Sequence, residues 1–382
     1  MRMSFIYSVA LILLATACVD RVYFEIDKTQ AEGISIAGFI SDQPGPYEVR
    51  IYKTFDIESK ESMKTAVSVK SLEIFDNHGT REVLQEVNPG IYQTSATGIR
   101  GVVGGVYTLR AELRDGKMYE SLPDTILANG KVDSVYYNFK SIYNRVGEKE
   151  YSFDVLFDAS YDVAVNDKII WKLAATFQAD TQPELFPDDK ECFYLDEIGM
   201  CNYKPPCSGL RNVGSYAEPR FERRYPCTCC ECWYAIYNDY VLLSDDFFTG
   251  RGEVRGVKAQ TIPLNSWSLQ YKILISLTQM SLTSNSFRMW KSIKDQRDAV
   301  DNLFQPITGK IPKNFTQLKG EPMFIEGLFY AASAHSITQE VKMFELPPEL
   351  KYPISLDKPI FANDCRKLFP NSTNLKPAFW VD

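Results

Sequence analysis

Val106-Tyr-Thr-Leu-Arg-Ala-Glu-Leu113 runs into Asp115-Gly116, and Tyr119 begins a return. Alternation over such a run is the period of a half-buried β-strand, and Asp-Gly is a hairpin signal because glycine supplies the positive φ that tight turns need. The same grammar repeats outward from this hairpin. Upstream, Ile34 and Ile36 alternate with Ser35 and Ala37, and Ser41-Asp-Gln-Pro-Gly45 is a turn by composition. Val49 and Ile51 alternate with Arg50 and Tyr52. Val67, Val69, Leu72 and Ile74 lead to a second hairpin signal, Asp76-Asn-His-Gly79, and Val83 and Leu84 follow it. Asn88-Pro-Gly90 is a further turn, before Ile91 and Tyr92. Short strands with a turn signal roughly every 8–12 residues suggest an antiparallel sandwich of immunoglobulin type. That sandwich is expected over residues 31–130.

Downstream, a boundary falls at Pro123 to Gly130. Val135, Tyr137 and Phe139 read as a strand, as do Tyr151, Phe153, Val155 and Phe157, and then Ile169 to Phe177. Residues 183–232 are dense in Pro, Asp, Glu, Cys and Tyr with little periodicity, which reads as a stapled loop. Trp267, Leu269, Tyr271, Ile273, Ile275 and Leu277 form the cleanest alternation in the chain and predict a long half-buried strand. One helix stands out. Phe287, Trp290, Ile293, Val300 and Leu303 fall on a helical stripe, Ser284 or Asn285 is placed to cap it, and Pro306 closes it. Phe324 to Ala332 reads as an apolar strand interrupted by glycine, and the tail looks irregular and pinned by Cys365. The expected fold is therefore mainly β. An immunoglobulin-like β-sandwich is followed, over 131–382, by a larger β-rich domain with one helix and a disulfide-stapled insertion at about 183–232.

The N-terminus decides compartment. Arg2 gives a minimal positive end, Phe5 to Leu14 is too short to span a bilayer as a mature helix, and Ala15-Thr-Ala17 precedes Cys18. Small residues directly before a cysteine are the pattern of a bacterial lipoprotein signal. Residues 1–17 read as the signal peptide, Cys18 as the lipidated first residue of the mature chain, and 18–30 as a tether. Each buried methylene of an acyl chain contributes about 0.8 kcal/mol, so two or three chains anchor firmly. The 382 residues suggest about two domains. Hydrophobic residues at 45% suffice for real cores, and the net charge of −7 with no basic stretch argues against nucleic acid.

Nine cysteines less Cys18 leave an even number, which in an exported chain points to disulfides: Cys192, Cys201, Cys207, Cys227, Cys229, Cys230, Cys232 and Cys365. Sequence neighbours have Cα atoms about 3.8 Å apart, below the usual disulfide range, so Cys229 and Cys230 should not bond each other. The simplest solution sends each cysteine of 227–232 outward to one of the other four. A metal competes, but the C-x2-C spacing of zinc ribbons occurs only as Cys229 and Cys232, with no partner pair. No metal and no cofactor is expected.

Catalytic groups are sparse. The two histidines are His78, in a predicted turn, and His335, at a strand end far from an obvious nucleophile. Neither Gly-x-Ser-x-Gly nor a P-loop is present. Asp245-Asp246 is the best local carboxylate pair for a glycosidase, and Asp188-Asp189 beside Lys190 is another; both read more simply as solvated loops, without full calcium-ligand spacing. The chain is read as a non-enzyme.

Taken together, several stretches resemble one family, the Bacteroidota outer-membrane lipoproteins gathered as domain of unknown function 4249. They are Ile36-Ala-Gly-Phe-Ile-Ser-Asp42, Gly45-Pro-Tyr-Glu-Val49, Gly90-Ile-Tyr92, Gly105-Val-Tyr-Thr-Leu109 and Asp115-Gly-Lys-Met-Tyr-Glu-Ser121. In the second half they are Cys229-Cys-Glu-Cys-Trp233, Phe287 to Gln296 with Trp290, Gly327-Leu-Phe-Tyr-Ala331, Cys365-Arg and Phe379-Trp380. The resemblance carries no catalytic residue. It implies lipid anchoring at the outer membrane, and encoding beside TonB-dependent transporters of the starch-utilisation type. That makes the expected role an accessory or cargo-binding partner of such a transporter. A structural or adhesive surface protein is the alternative, and a hydrolase a third. If the phylum holds, Asp124-Thr-Ile and Asp133-Ser-Val fit its short O-glycosylation motif.

Overall fold

The alternating segments form strands, and their pairing joins regions far apart in sequence. The computed structural model describes residues 33–380 apart from 55–64, 129, 145, 184–192, 196–197, 201–205, 215–217, 219, 248–251, 265–271, 301–312, 343–363, 370–371 and 378. The first region contains β1 (Gly33–Ser41), β2 (Glu48–Lys53), β3 (Val69–Asp76), β4 (Arg81–Val83), β5 (Gln85–Asn88), β6 (Ile91–Gln93), β7 (Val106–Leu113), β8 (Met118–Ser121) and β9 (Asp124–Thr125). In β7 the alternation buries Tyr107, Leu109, Ala111 and Leu113, and Gly116 makes the turn into β8 with φ 86°. Between β3 and β4, Asp76 Oδ1 accepts the N–H groups of His78 and Thr80 at 2.9 and 2.8 Å, which fixes the predicted Asp76–Gly79 turn.

The second region opens with β10 (Lys131–Tyr143), β11 (Lys149–Ser160) and β12 (Ile169–Asp180). The cysteine-rich stretch is not structureless. It carries the small hairpins β13 (Phe193–Leu195) with β14 (Ile198–Met200) and β15 (Leu210–Asn212) with β16 (Phe221–Arg223). It then delivers β17 (Glu231–Tyr237), followed by β18 (Leu242–Leu243), β19 (Glu253–Leu264) and β20 (Ile273–Ser281). Ile273, Ile275 and Leu277 are buried in β20, whereas Trp267, Leu269 and Tyr271 lie outside the described residues. The chain continues through helix α1 (Ser284–Val300), β21 (Phe315–Lys319), β22 (Phe324–Val341) and the short helix α2 (Cys365–Leu368).

β22 organises the molecule. The largest sheet runs β17-β12-β20-β22-β1-β2-β6-β5, with β18 alongside β12. β22 pairs antiparallel with β20 through its second half and parallel with β1 through its first half, from Gly33 opposite Phe324 to Ser41 opposite Ala332. The six-stranded sheet β21-β8-β7-β3-β4, with β9 beside β7, covers one end of this long sheet; the three-stranded sheet β10-β11-β19 covers the other. Each pairing of sheets encloses a core. Ile325, Phe329 and Ala331 of β22 join the first, with Ile36, Val49, Leu72 and Leu109, while Val341 joins the second, with Phe157, Trp171 and Ile275. The region 31–130 therefore supplies most of a two-layer core but does not close it alone. β21 and β22, from the other end of the chain, complete its two layers.

The opposite face of β22 receives α1. Phe287, Met289, Leu328, Tyr330, Ala332 and Ala334 are buried together, with Trp290 and Ile293 packed against them. Apolar side chains every three to four residues on the helix make this stripe. The helix cap differs from expectation: Thr283, not Ser284 or Asn285, is the cap. Its carbonyl accepts the N–H of Phe287 at 2.9 Å and its Oγ1 that of Ser286 at 3.4 Å.

Candidate functional site

Two side-chain constellations stand out from the scaffold. The first is a platform of disulfides at the edge strand β17: Cys207–Cys229, Cys227–Cys230 and Cys232–Cys365. Cys232 lies on β17 opposite Ala179 of β12, and Cys365 opens α2 behind its cap Asp364. Hydrogen bonds reinforce the join. Cys365 N–H donates to the Cys229 carbonyl at 3.1 Å, the Thr181 hydroxyl donates to the same carbonyl at 2.9 Å, and Trp233 and Thr373 exchange backbone bonds. The C-terminal segment is thus stitched to the sheet edge. Sulfur atoms of different bridges also approach, with Cys227 Sγ 4.0 Å from Cys229 Sγ. Cys207 Sγ lies 4.0 Å from an Asp364 carboxylate oxygen. Burial raises the Asp364 pKa, but its bonds and charge contact with Arg366 outweigh this and hold it below the usual carboxylate value.

This pattern corrects the expected connectivity. Cys229 and Cys232 reach outward, but Cys227 bonds Cys230 within the cluster. A separation of three residues in a turn sets their Cα atoms 5.7 Å apart, inside the usual disulfide range of roughly 4.4–6.8 Å. Adjacency excludes a bond only between immediate neighbours. Cys192 and Cys201 lie outside the described residues, as does Cys18.

The second constellation is a lysine walled by aromatic rings where β12, β22, β1 and α1 meet. Lys172 Nζ stands 4.4 Å from the ring centre of Trp290, 5.1 Å from that of Tyr330 and 5.5 Å from that of Phe39. It donates to the Tyr330 hydroxyl at 2.5 Å. Phe39 stacks on Tyr330, and Trp290 meets Tyr330 edge-on. Ring quadrupoles favour a cation here by about 0.5–2 kcal/mol each as water is excluded. Trp290 Nε1 is buried and bonds to no acceptor among the described residues. Beside Lys172 the sheet face carries hydroxyls: Thr278 and Ser336 lie 2.8 Å apart, and Ser276 and Thr338 lie 3.4 Å apart one step along. A fixed cation beside paired hydroxyls can hold anionic or polyhydroxylated groups. Sequence reasoning missed Lys172. Its one local signal is a charge inside the apolar run Ile169-Ile-Trp-Lys-Leu173, and its aromatic walls come from three other elements.

The residues singled out for chemistry fall elsewhere. His78 is exposed in the β3–β4 turn, and His335 Nδ1 accepts the N–H of Val132 at 3.2 Å, tying β22 to β10. Asp245 pairs with Lys291 at 2.8 Å and Asp246 with Lys294 at 2.6 Å, so this carboxylate pair docks α1 onto the turn after β18. Asp188 and Asp189 lie outside the described residues. Asp124 is buried and accepts hydrogen bonds from Thr283 Oγ1 at 2.6 Å, Ser286 Oγ at 2.7 Å and Ala331 N–H at 3.0 Å. The acidic residue of the first glycosylation motif is therefore occupied inside the fold, joining the helix cap to β22. In the second motif, Asp133 accepts from Ser160 Oγ at 3.2 Å and Arg255 at 3.2 Å.

Fold and constellations define a mainly β protein in which β1 and β22 are paired in one sheet, with a cysteine platform at the edge of that sheet. The chain belongs to the domain of unknown function family DUF4249, which it matches over residues 19–338. No curated protein and no solved structure matches it.

Proposed function

We propose that this protein is a lipid-anchored accessory of an outer-membrane importer of the TonB-dependent class in Bacteroidota, holding cargo or the transporter itself rather than transforming a substrate. The observation that carries this reading is where the family match begins. It starts at residue 19, one position after the acylable Cys18, so the family body is the part that follows the proposed anchor. Residues 19–32 then allow at most roughly 50 Å of reach before β1, at about 3.3–3.6 Å per residue. That keeps the body within about one protein diameter of the membrane. The best local carboxylate pair for a hydrolase favours the same reading, because Asp245 and Asp246 are engaged in docking α1.

Capture of the tagged full chain from native membranes in mild detergent, with mass spectrometry of its partners, tests the proposal. A TonB-dependent transporter should be the principal specific partner, and Cys18→Ala should lose it by releasing the chain from the membrane. A fully lipidated protein that enriches no outer-membrane transporter would overturn the reading.

A further inference from the structure

Two bridges of the cysteine platform gather side chains of metal-ligating type around Asp364. Ligand atoms of Cys207, Cys229 and Asp364 all lie within 4.8 Å of one another, and Cys227 Sγ is 4.0 Å from Cys229 Sγ. Tetrahedral zinc, with bonds of about 2.3 Å to sulfur and about 2.0–2.2 Å to oxygen, sets its ligand atoms roughly 3.5–3.8 Å apart. The Cys227–Cys229 and Cys207–Asp364 approaches, each 4.0 Å, are close to those edges, and reduction would let the bonded Cys207 and Cys229 sulfurs separate to the same spacing. We propose that, when the bridges Cys207–Cys229 and Cys227–Cys230 are reduced, Cys207, Cys227, Cys229 and Asp364 bind one zinc ion.

The surroundings suit this exchange. Cys227, Cys230 and Cys207 are half-buried while Cys229 is buried, so each bridge has at least one half-buried cysteine. Cys232 and Cys365 are fully buried and keep α2, and with it Asp364, fastened to β17. The Asp364 carboxylate is oriented by Arg366, with Nη2 at 2.9 Å and Nε at 3.2 Å, the outer-shell arrangement that metal-binding carboxylates need. Three thiolates and one carboxylate around Zn²⁺ leave two negative charges, which Arg366 and Lys367 offset. The reductant is a dithiol, one per bridge. Each bridge gains two electrons and two protons, and each dithiol leaves as its own disulfide. Zinc then displaces three thiol protons to solvent, and Cys230 remains a free thiol. This inference stands apart from the importer reading.

The test uses full-length protein in detergent, reduced with a dithiol without oxygen, freed of the dithiol and titrated with Co²⁺. Wild type should show the strong visible bands of tetrahedral thiolate-bound cobalt, saturating at one ion per chain and cleared by Zn²⁺. Asp364→Asn and Cys227→Ser should each weaken binding by about tenfold or more, while Cys230→Ser should leave it unchanged. Melting of the oxidised variants checks that they fold, and Cys227→Ser, at the surface, serves if Asp364→Asn does not. Absence of the bands in reduced wild type would overturn the proposal. So would equal affinity in Asp364→Asn and Cys227→Ser, or loss of binding in Cys230→Ser.

Discussion

At Gly327 the backbone has φ 131°, and an added Cβ would lie 1.9 Å from the carbonyl oxygen of Ile36 on the parallel neighbour β1. Gly327→Ala should cost about 2–4 kcal/mol, read as a lower denaturation midpoint, because both the conformation and the close approach exclude a side chain. The interruption of an apolar strand by glycine is visible in the sequence. Its cause is not, since Ile36 is its neighbour only through a pairing with no local signal. Next to it, burial pushes the Glu326 carboxyl above its ordinary value. Between the unfolded value of about 4.3 and the higher folded one, the native state binds more protons, so stability falls as pH rises through that window. Glu326→Gln should therefore stabilise the protein at neutral pH and give no gain at about pH 4, measured by unfolding at both. A gain of equal size at both would contradict the assignment.

Among the elements, those with strict alternation or a clear helical stripe are legible before folding. β7 and its Asp115-Gly116 turn, β20 from Ile273, and α1 follow from local pattern alone. The cap of α1 is less legible because Thr283, Ser284, Asn285 and Ser286 are all capping residue types. Tertiary contacts decide among them: Asp124 holds the hydroxyls of Thr283 and Ser286. The disulfides were half legible for a related reason. An even cysteine count in a chain read as exported indicates bridges, but the turn geometry that permits Cys227–Cys230 is not encoded in spacing. Their contributions should differ with loop length. Cys232–Cys365 spans 133 residues and Cys227–Cys230 only 3. Chain entropy gives about 5 kcal/mol for the long loop and about 1–2 kcal/mol for the short one. Paired Cys→Ser variants unfolded in guanidinium should show that order, and a reversed order would contradict the entropic account.

For the whole molecule, composition and periodicity were enough to read a mainly β chain, and no more of the architecture than that. Gly33 opposite Phe324 is a parallel contact between the two ends of the fold, and nothing local in either strand announces it. The lysine clasp shares this property: Lys172, Phe39, Tyr330 and Trp290 meet because β12, β1, β22 and α1 do. Pairing β1 with β22 binds the early and late strands into one sheet, to which the proposed N-terminal lipid tether would lead. The functional account depends on that tether. Mass spectrometry of the N-terminal peptide of protein purified from its native membrane tests it most directly. The account predicts a chain beginning at Cys18 and carrying thioether-linked and amide-linked acyl chains; an unmodified cysteine, or a mature N-terminus elsewhere, would contradict it.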